Sequence, residues 1–212
     1  MATVNKFVKQ LSGVNMPNVF NPYRDICEIH DKKNAASLRR KNLGACLESV
    51  RKNGVKTIWV ARDLGHRGGR RTGIPLTDEA NLNAAREMFG SAPLSRATVG
   101  PTIAEQTAAT IWQSMSEVRE PVMLWNVFPF HPHEPSESLS NRCHTSKERL
   151  ETWPIFLDLI DLLRPTKLIA IGNDAEKALR GLSVATEKVR HPSYGGKNEF
   201  ILGIRSIYKI KS

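Results

Sequence analysis

The chain has 212 residues, 40% of them hydrophobic, a formal net charge of +10 and a pI of about 9.8. That length fits one domain over 1–212, the apolar content suffices for a full core, and the excess positive charge favours polyanionic partners, nucleic acid first and an acidic membrane surface second. No apolar stretch approaches the roughly 18 residues of a membrane span, and Met1 to Lys6 hold no apolar signal core, so a cytoplasmic protein without a membrane partner is expected.

Residues 1–34 read as an irregular N-terminal arm interrupted by Pro17 and Pro22, with Asn21-Pro22-Tyr23-Arg24-Asp25 as a turn. From Ala35 to Arg51, Leu38, Leu43, Leu47 and Val50 recur at near-helical spacing, and Asn53-Gly54 is a stop signal. A first strand follows from Val55 to Ala61. Residues 62–75 are a loop rich in Gly and Arg. Thr77 or Asp78 is placed to cap a helix through Phe89. Thr102 to Val118 reads as a helix, and Val122 to Trp125 as a second strand ending at Asn126. Phe128 to His144 is a long loop with three prolines, read as polar and lying along DNA.

Ser146 starts a helix to about Leu163, with Ile155, Phe156, Leu159, Ile160 and Leu163 on its apolar face. Lys167 to Gly172 is a nearly continuous apolar strand, of the kind found in sheets buried on both faces. Asp174 to Leu182 is a short helix, and Val184 to Val189 a last strand. The tail from Phe200 to Ile210 is amphipathic and fits helix or strand equally. Strands alternating with helices argue for an α/β fold: a three-layer α/β/α arrangement around a mostly parallel four-stranded sheet.

Three of the strands run into polar residues suited to catalysis. The first leads into Arg62-Asp63-Leu64-Gly65-His66, the second into Asn126, the last into Arg190-His191-Pro192-Ser193. Chemistry in open parallel sheets collects at the carboxyl ends of the strands, so Asp63, Asn126 and His191 are expected to converge. Four arginines between 62 and 71 suit phosphate contacts, and nearby glycines admit a flat ligand. The glycine spacing fits neither a Walker loop nor a dinucleotide fingerprint. The carboxamide of Asn126 offers a donor and an acceptor together, matching a base edge. His191 is placed to donate to an oxyanion.

His131, His133, Glu134, Cys143 and His144 raise the question of a metal, but their spacing matches no standard finger and none is expected. Cys27, Cys46 and Cys143 form no C-x-x-C pair, are odd in number, and are too few for the four thiolates of an iron–sulfur cluster.

Taken in order, these motifs resemble the uracil-DNA glycosylase superfamily. Ala61-Arg62-Asp63-Leu64-Gly65-His66 stands where the family has a Gly-Gln-Asp-Pro-Tyr-His type segment. Thr72-Gly73-Ile74-Pro75-Leu76 is similar to its Thr-Gly-x-Pro-Phe segment. Asn126 corresponds to its uracil-reading Asn and His191-Pro192-Ser193 to its second catalytic motif. The stretch from Ser140 through Arg164-Pro165-Thr166 to Ala175 resembles the iron–sulfur branches, whose cluster cysteines are missing. The likeness spans roughly residues 50–205.

The resemblance implies a monomeric enzyme that excises uracil from DNA without a cofactor. Asp63 would orient water, Asn126 read the base and His191 stabilise the departing anion. Arg62, Gly65, His66 and Leu76 would line the base pocket, with Arg70, Arg71, Arg190 and Ser193 at phosphates and Tyr194 wedged into the duplex. Three positions depart from the pattern: Arg62 replaces a Gln or small residue, Gly65 the Tyr that blocks the thymine methyl, and Leu76 the stacking Phe. Phe128, Phe130 and Tyr23 are candidates to stack instead. Two rival readings use the same residues: an N-glycosidic hydrolase of free nucleosides or nucleotides, and a basic nucleic-acid-binding module without chemistry.

Overall fold

The structure is a computed structural model describing residues 3–90 and 92–210. In chain order the elements are α1 (Val4–Gly13), β1 (Val19–Phe20), α2 (Ala35–Asn53), β2 (Thr57–Ala61), α3 (Gly69–Thr72), α4 (Leu82–Met88) and α5 (Gln106–Met115), then β3 (Val122–Asn126), β4 (His131–Pro132), α6 (Ser146–Leu163), β5 (Lys167–Ile171), α7 (Asn173–Leu179), β6 (Ala185–Val189) and α8 (Lys197–Tyr208). Four strands form one parallel sheet in the order β3-β2-β5-β6, and β1 pairs antiparallel with β4 in a separate two-residue ribbon.

Helices cover both faces of the sheet, and two tryptophans show how. Trp59 lies beside Leu124, and Val60 beside Trp125. Side chains alternate along a strand, so Trp59 and Trp125 point to opposite faces. Trp59 meets Phe200 and Tyr208 of α8, with its indole N–H donating to Tyr208 Oη at 2.9 Å. Trp125 meets Phe7 of α1, ring centroids 5.7 Å apart. On that side α1, α2 and α6 pack together; on the other, α5 packs on α8. The expected three-layer α/β/α architecture is what the chain adopts.

The sequence-based boundaries of the 146–163 helix coincide with those of α6. Thr145 accepts from the Glu148 amide and Glu148 reaches back to the Thr145 amide, closing a capping box. The N-terminal arm departs from expectation. Val4, Phe7, Val8 and Leu11 recur at helical spacing, are buried, and form one face of α1, capped by Thr3. Pro17 and Pro22 follow that helix rather than prevent it. The ambiguous tail is helix α8, which buries Phe200 and Ile204. Helix α5 begins four residues later than expected because Glu105 is extended, and helix α4 starts only at Leu82, after a turn in which Asp78 accepts from the Asn81 amide.

The loop after β3 also differs. Phe128, Phe130 and His131 are fully buried, so its first part is core rather than a polar DNA-facing segment. Among the described residues no helix is long and apolar enough to cross a membrane.

Candidate active site

From β2 the chain passes to β3 on one side of it, whereas the segment after β5 leads to β6 on the other. The loops following β2 and β5 therefore diverge and leave a crevice, the usual ligand position in an open α/β sheet. A cavity of about 450 Å³ lies there, lined among others by Arg62, Asp63, Gly65, Leu76, Glu105 and His191.

Asp63 sits two residues past the end of β2. Its loop is held by a continuation of the sheet pairing, in which the Val127 and Phe128 amides donate to the Ala61 and Arg62 carbonyls, both at 2.9 Å. Both oxygens of its carboxylate are engaged. Arg62 Nε donates to Oδ2 at 2.6 Å, and His144 Nδ1 hydrogen-bonds Oδ1. The His144 ring stacks on Phe128, centroids 5.3 Å apart. Arg62 also donates to Asp174 at 2.9 Å, joining the loops after β2 and β5 across the crevice.

His191 enters the cavity from the segment after β6. Gly172, at φ 88, lets the β5 end pass close to it: a methyl group on that glycine would lie 3.1 Å from His191 Cβ. The Ser193 amide donates to His191 Nδ1 at 3.2 Å, with Ser193 Oγ at 2.7 Å from the same nitrogen. With Nδ1 an acceptor, the neutral ring carries its proton on Nε2. Burial, and then the positive charges of Arg62 and Arg190, lower the pKa of His191 and favour that neutral form.

Asn126 ends β3 fully buried. Its Nδ2 donates to the Asp63 carbonyl at 2.8 Å, while Oδ1 has no partner among the described residues. It lies beneath the Asp63 loop and is not part of the cavity wall. Leu76 does line the cavity, at φ 57, a left-handed conformation costly for a branched side chain. The preceding turn holds it there: Thr72 Oγ1 donates to the Thr77 carbonyl at 2.7 Å and accepts from the Ile74 amide at 3.1 Å.

Arg190, Ser193 and Tyr194 line the cavity, with Tyr194 97% exposed at φ 52. Arg70 and Arg71, expected at phosphates, are buried. Arg70 lies 3.8 Å over the Phe20 ring, meets His131 Nδ1 at 2.8 Å and donates to the Ser138 carbonyl. Arg71 lies 3.3 Å from the Glu79 carboxylate. The one-turn helix α3 points both side chains into the protein. His66, expected in the pocket, lies outside its wall with Nδ1 buried and without a partner among the described residues, and its amide donates to Asn141 Oδ1 at 3.1 Å. Phe128, Phe130 and Tyr23 do not substitute for an aromatic at Leu76. All three are core residues, and Tyr23 Oη donates to the Gly73 carbonyl at 3.1 Å.

Two site residues escaped sequence reasoning. In the sequence His144 reads only as a metal-ligand type, and its partner lies 81 residues earlier. Glu105 reads as the polar side of a helical first turn, yet its carboxyl reaches over Gly65 and Gly68 into the cavity. Burial, then the Asp78 carboxylate, push that carboxyl up to about 7 against the pull of Arg67.

The fold is similar to that of the crystal structure of wild-type Pedobacter heparinus SMUG2, with a TM-score of 0.62 and 15% sequence identity over 97% of this chain and 96% of that one. The likeness is one of fold. No protein-family model and no curated protein matches the sequence.

Proposed function

We propose that the chain is a DNA glycosylase that hydrolyses the N-glycosidic bond of uracil in DNA and leaves an abasic site. The observation that carries this reading is the cavity shared by the Asp63 carboxylate and a His191 ring whose Nε2 bears a proton. The SMUG2-like fold and the motif order from Asp63 to His191 support it.

A base stacked in a duplex is closed to attack at its sugar, so the nucleotide must first swing out. Exposed Arg190 then holds a flanking phosphate, and Tyr194 fills the gap in the stack. As the C1′–N1 bond breaks, its electron pair passes to the base. His191 Nε2–H donates to uracil O2 and stabilises that anion. The Asp63 carboxylate balances the cationic sugar and orients the water that adds to C1′, and the proton that water gives up neutralises the departing uracil anion. Asn126 reads the O4 and N3–H edge: its unpartnered Oδ1 accepts from N3–H and its second amide hydrogen donates to O4. Cytosine carries a donor and a bare acceptor at those atoms and leaves both mismatched. Asn126 lies behind the Asp63 loop, so its reading of the base requires that loop to move aside as the base enters.

The test is abasic-site formation in a uracil-containing oligonucleotide. Asp63→Asn and His191→Ala each lose at least about a hundredfold in rate while keeping the wild-type melting temperature. Near-normal cleavage by both variants, or cleavage of free deoxyuridine in preference to the oligonucleotide, overturns the proposal.

A further inference from the structure

Glu105 is held as few carboxyls in this chain are. A methyl group built on Gly65 would lie 2.2 Å from its Oε1, and one built on Gly68 would lie 2.2 Å from its Oε2. Two glycines of one loop therefore leave the room that this carboxyl fills. Its backbone amide donates to Asp78 Oδ2 at 2.6 Å, which pins the residue at the start of α5. Among the described residues nothing donates to the carboxyl itself. Glu79 shows the contrast, since its carboxylate accepts from Thr98, from Arg96 at 3.1 Å and from the Ile103 amide at 2.9 Å. A half-buried carboxyl with no protein donor, set in the wall of a cavity, is a candidate functional group.

The chemistry of a flipped pyrimidine decides what Glu105 meets. N1 bears the sugar, His191 takes O2, and Asn126 takes N3–H and O4. The remaining edge is C5–C6, and Gly65 with Glu105 across it, beside Leu76 and Thr107, is a stretch of wall left to meet it. A hydrogen at C5 tolerates a carboxyl oxygen as a weak C–H···O contact. A methyl group there needs space the carboxyl already occupies. We propose that Glu105 is a specificity-determining residue that excludes substituents at C5 of the flipped pyrimidine, and so sets the choice of uracil over thymine. This inference rests on the glycosylase reading.

The experiment compares uracil with thymine, each opposite guanine. Glu105→Ala raises the thymine-to-uracil ratio of kcat/KM by about tenfold to two-hundredfold, the range one methyl group commands in a closed pocket. Glu105→Gln, of the same shape, keeps the wild-type ratio. An unchanged ratio in Glu105→Ala overturns the inference, as does loss of uracil excision in Glu105→Gln. Binding of uncleavable 2′-fluoro oligonucleotides carrying uracil or thymine provides a readout without turnover, and the affinity ratio shifts in the same direction. A wild-type protein that excises no uracil removes the glycosylase reading, while an affinity ratio unmoved by Glu105→Ala removes this one.

Discussion

His144 Nδ1 hydrogen-bonds Oδ1 of Asp63, and Phe128 holds the imidazole by stacking on it. The pair lies at the cavity, with side chains only 10% and 7% exposed. His144 thus orients the carboxylate without being part of the cavity wall itself. His144→Ala lowers uracil excision about tenfold to a hundredfold, the worth of one hydrogen bond to a charged group. His144→Asn, whose Nδ2 falls near the position of Nδ1, recovers most of it. Equal activity of both variants in single-turnover assays contradicts this role.

Arg70 and Arg190 separate structure from binding. Arg70→Ala strips its contacts from Phe20, His131 and the Ser138 carbonyl. It destabilises the fold by about 2–4 kcal/mol in urea unfolding. Arg190 is exposed at the cavity mouth. Arg190→Ala leaves stability within about 0.5 kcal/mol and reduces the salt slope of DNA binding by about 0.9, one phosphate's worth. A reduced slope for Arg70→Ala at unchanged stability reverses the assignment.

Asn126→Asp is a stability variant before it is a specificity variant. The change removes the donor to the Asp63 carbonyl and sets a second acceptor against it in a fully buried site. The urea midpoint drops by the equivalent of about 3 kcal/mol. An unchanged midpoint shows that the Asn126–Asp63 bond contributes nothing to the fold.

Two histidines with depressed pKa weaken the fold in acid, against the opposite pull of Glu105, whose raised carboxyl favours the folded state below about pH 7. Burial, then the Arg70 charge, hold His131 at about 3, down from 6.5, and burial, then Arg71, hold His30 at about 4. Between pH 6.5 and those values the unfolded chain takes up protons that the folded one refuses. The contribution of these two histidines is therefore full above about pH 6.5 and falls as pH drops, by up to about 1.4 kcal/mol per pH unit for each group. His131→Gln flattens the profile between pH 6 and 4 in urea titrations. A profile that stays as steep assigns the acid loss elsewhere.

The strands and the long helix were legible because their signals are local. Apolar runs such as Leu168-Ile169-Ala170-Ile171 mark a buried parallel strand, and Thr145 with Glu148 marks the start of α6. The N-terminal helix carries its own i, i+3, i+4, i+7 pattern, but the nearby Pro17 and Pro22 give a competing loop signal. The buried state of Arg70 and Arg71 was not legible, since a basic cluster in a glycine-rich loop reads the same whether its side chains face water or the core.

By itself, the sequence determined the sheet-forming runs, their punctuation, and which polar residues end them, because hydrophobic periodicity and turn chemistry act over a few residues. Only the tertiary structure decided which of those residues share a wall. Strand order β3-β2-β5-β6 opens the crevice beside Asp63, His144 returns to Asp63 from 81 residues away, and Glu105 fills the room left by Gly65 and Gly68. These are contacts between elements distant in the chain, and their chemistry depends on who shields whom from water.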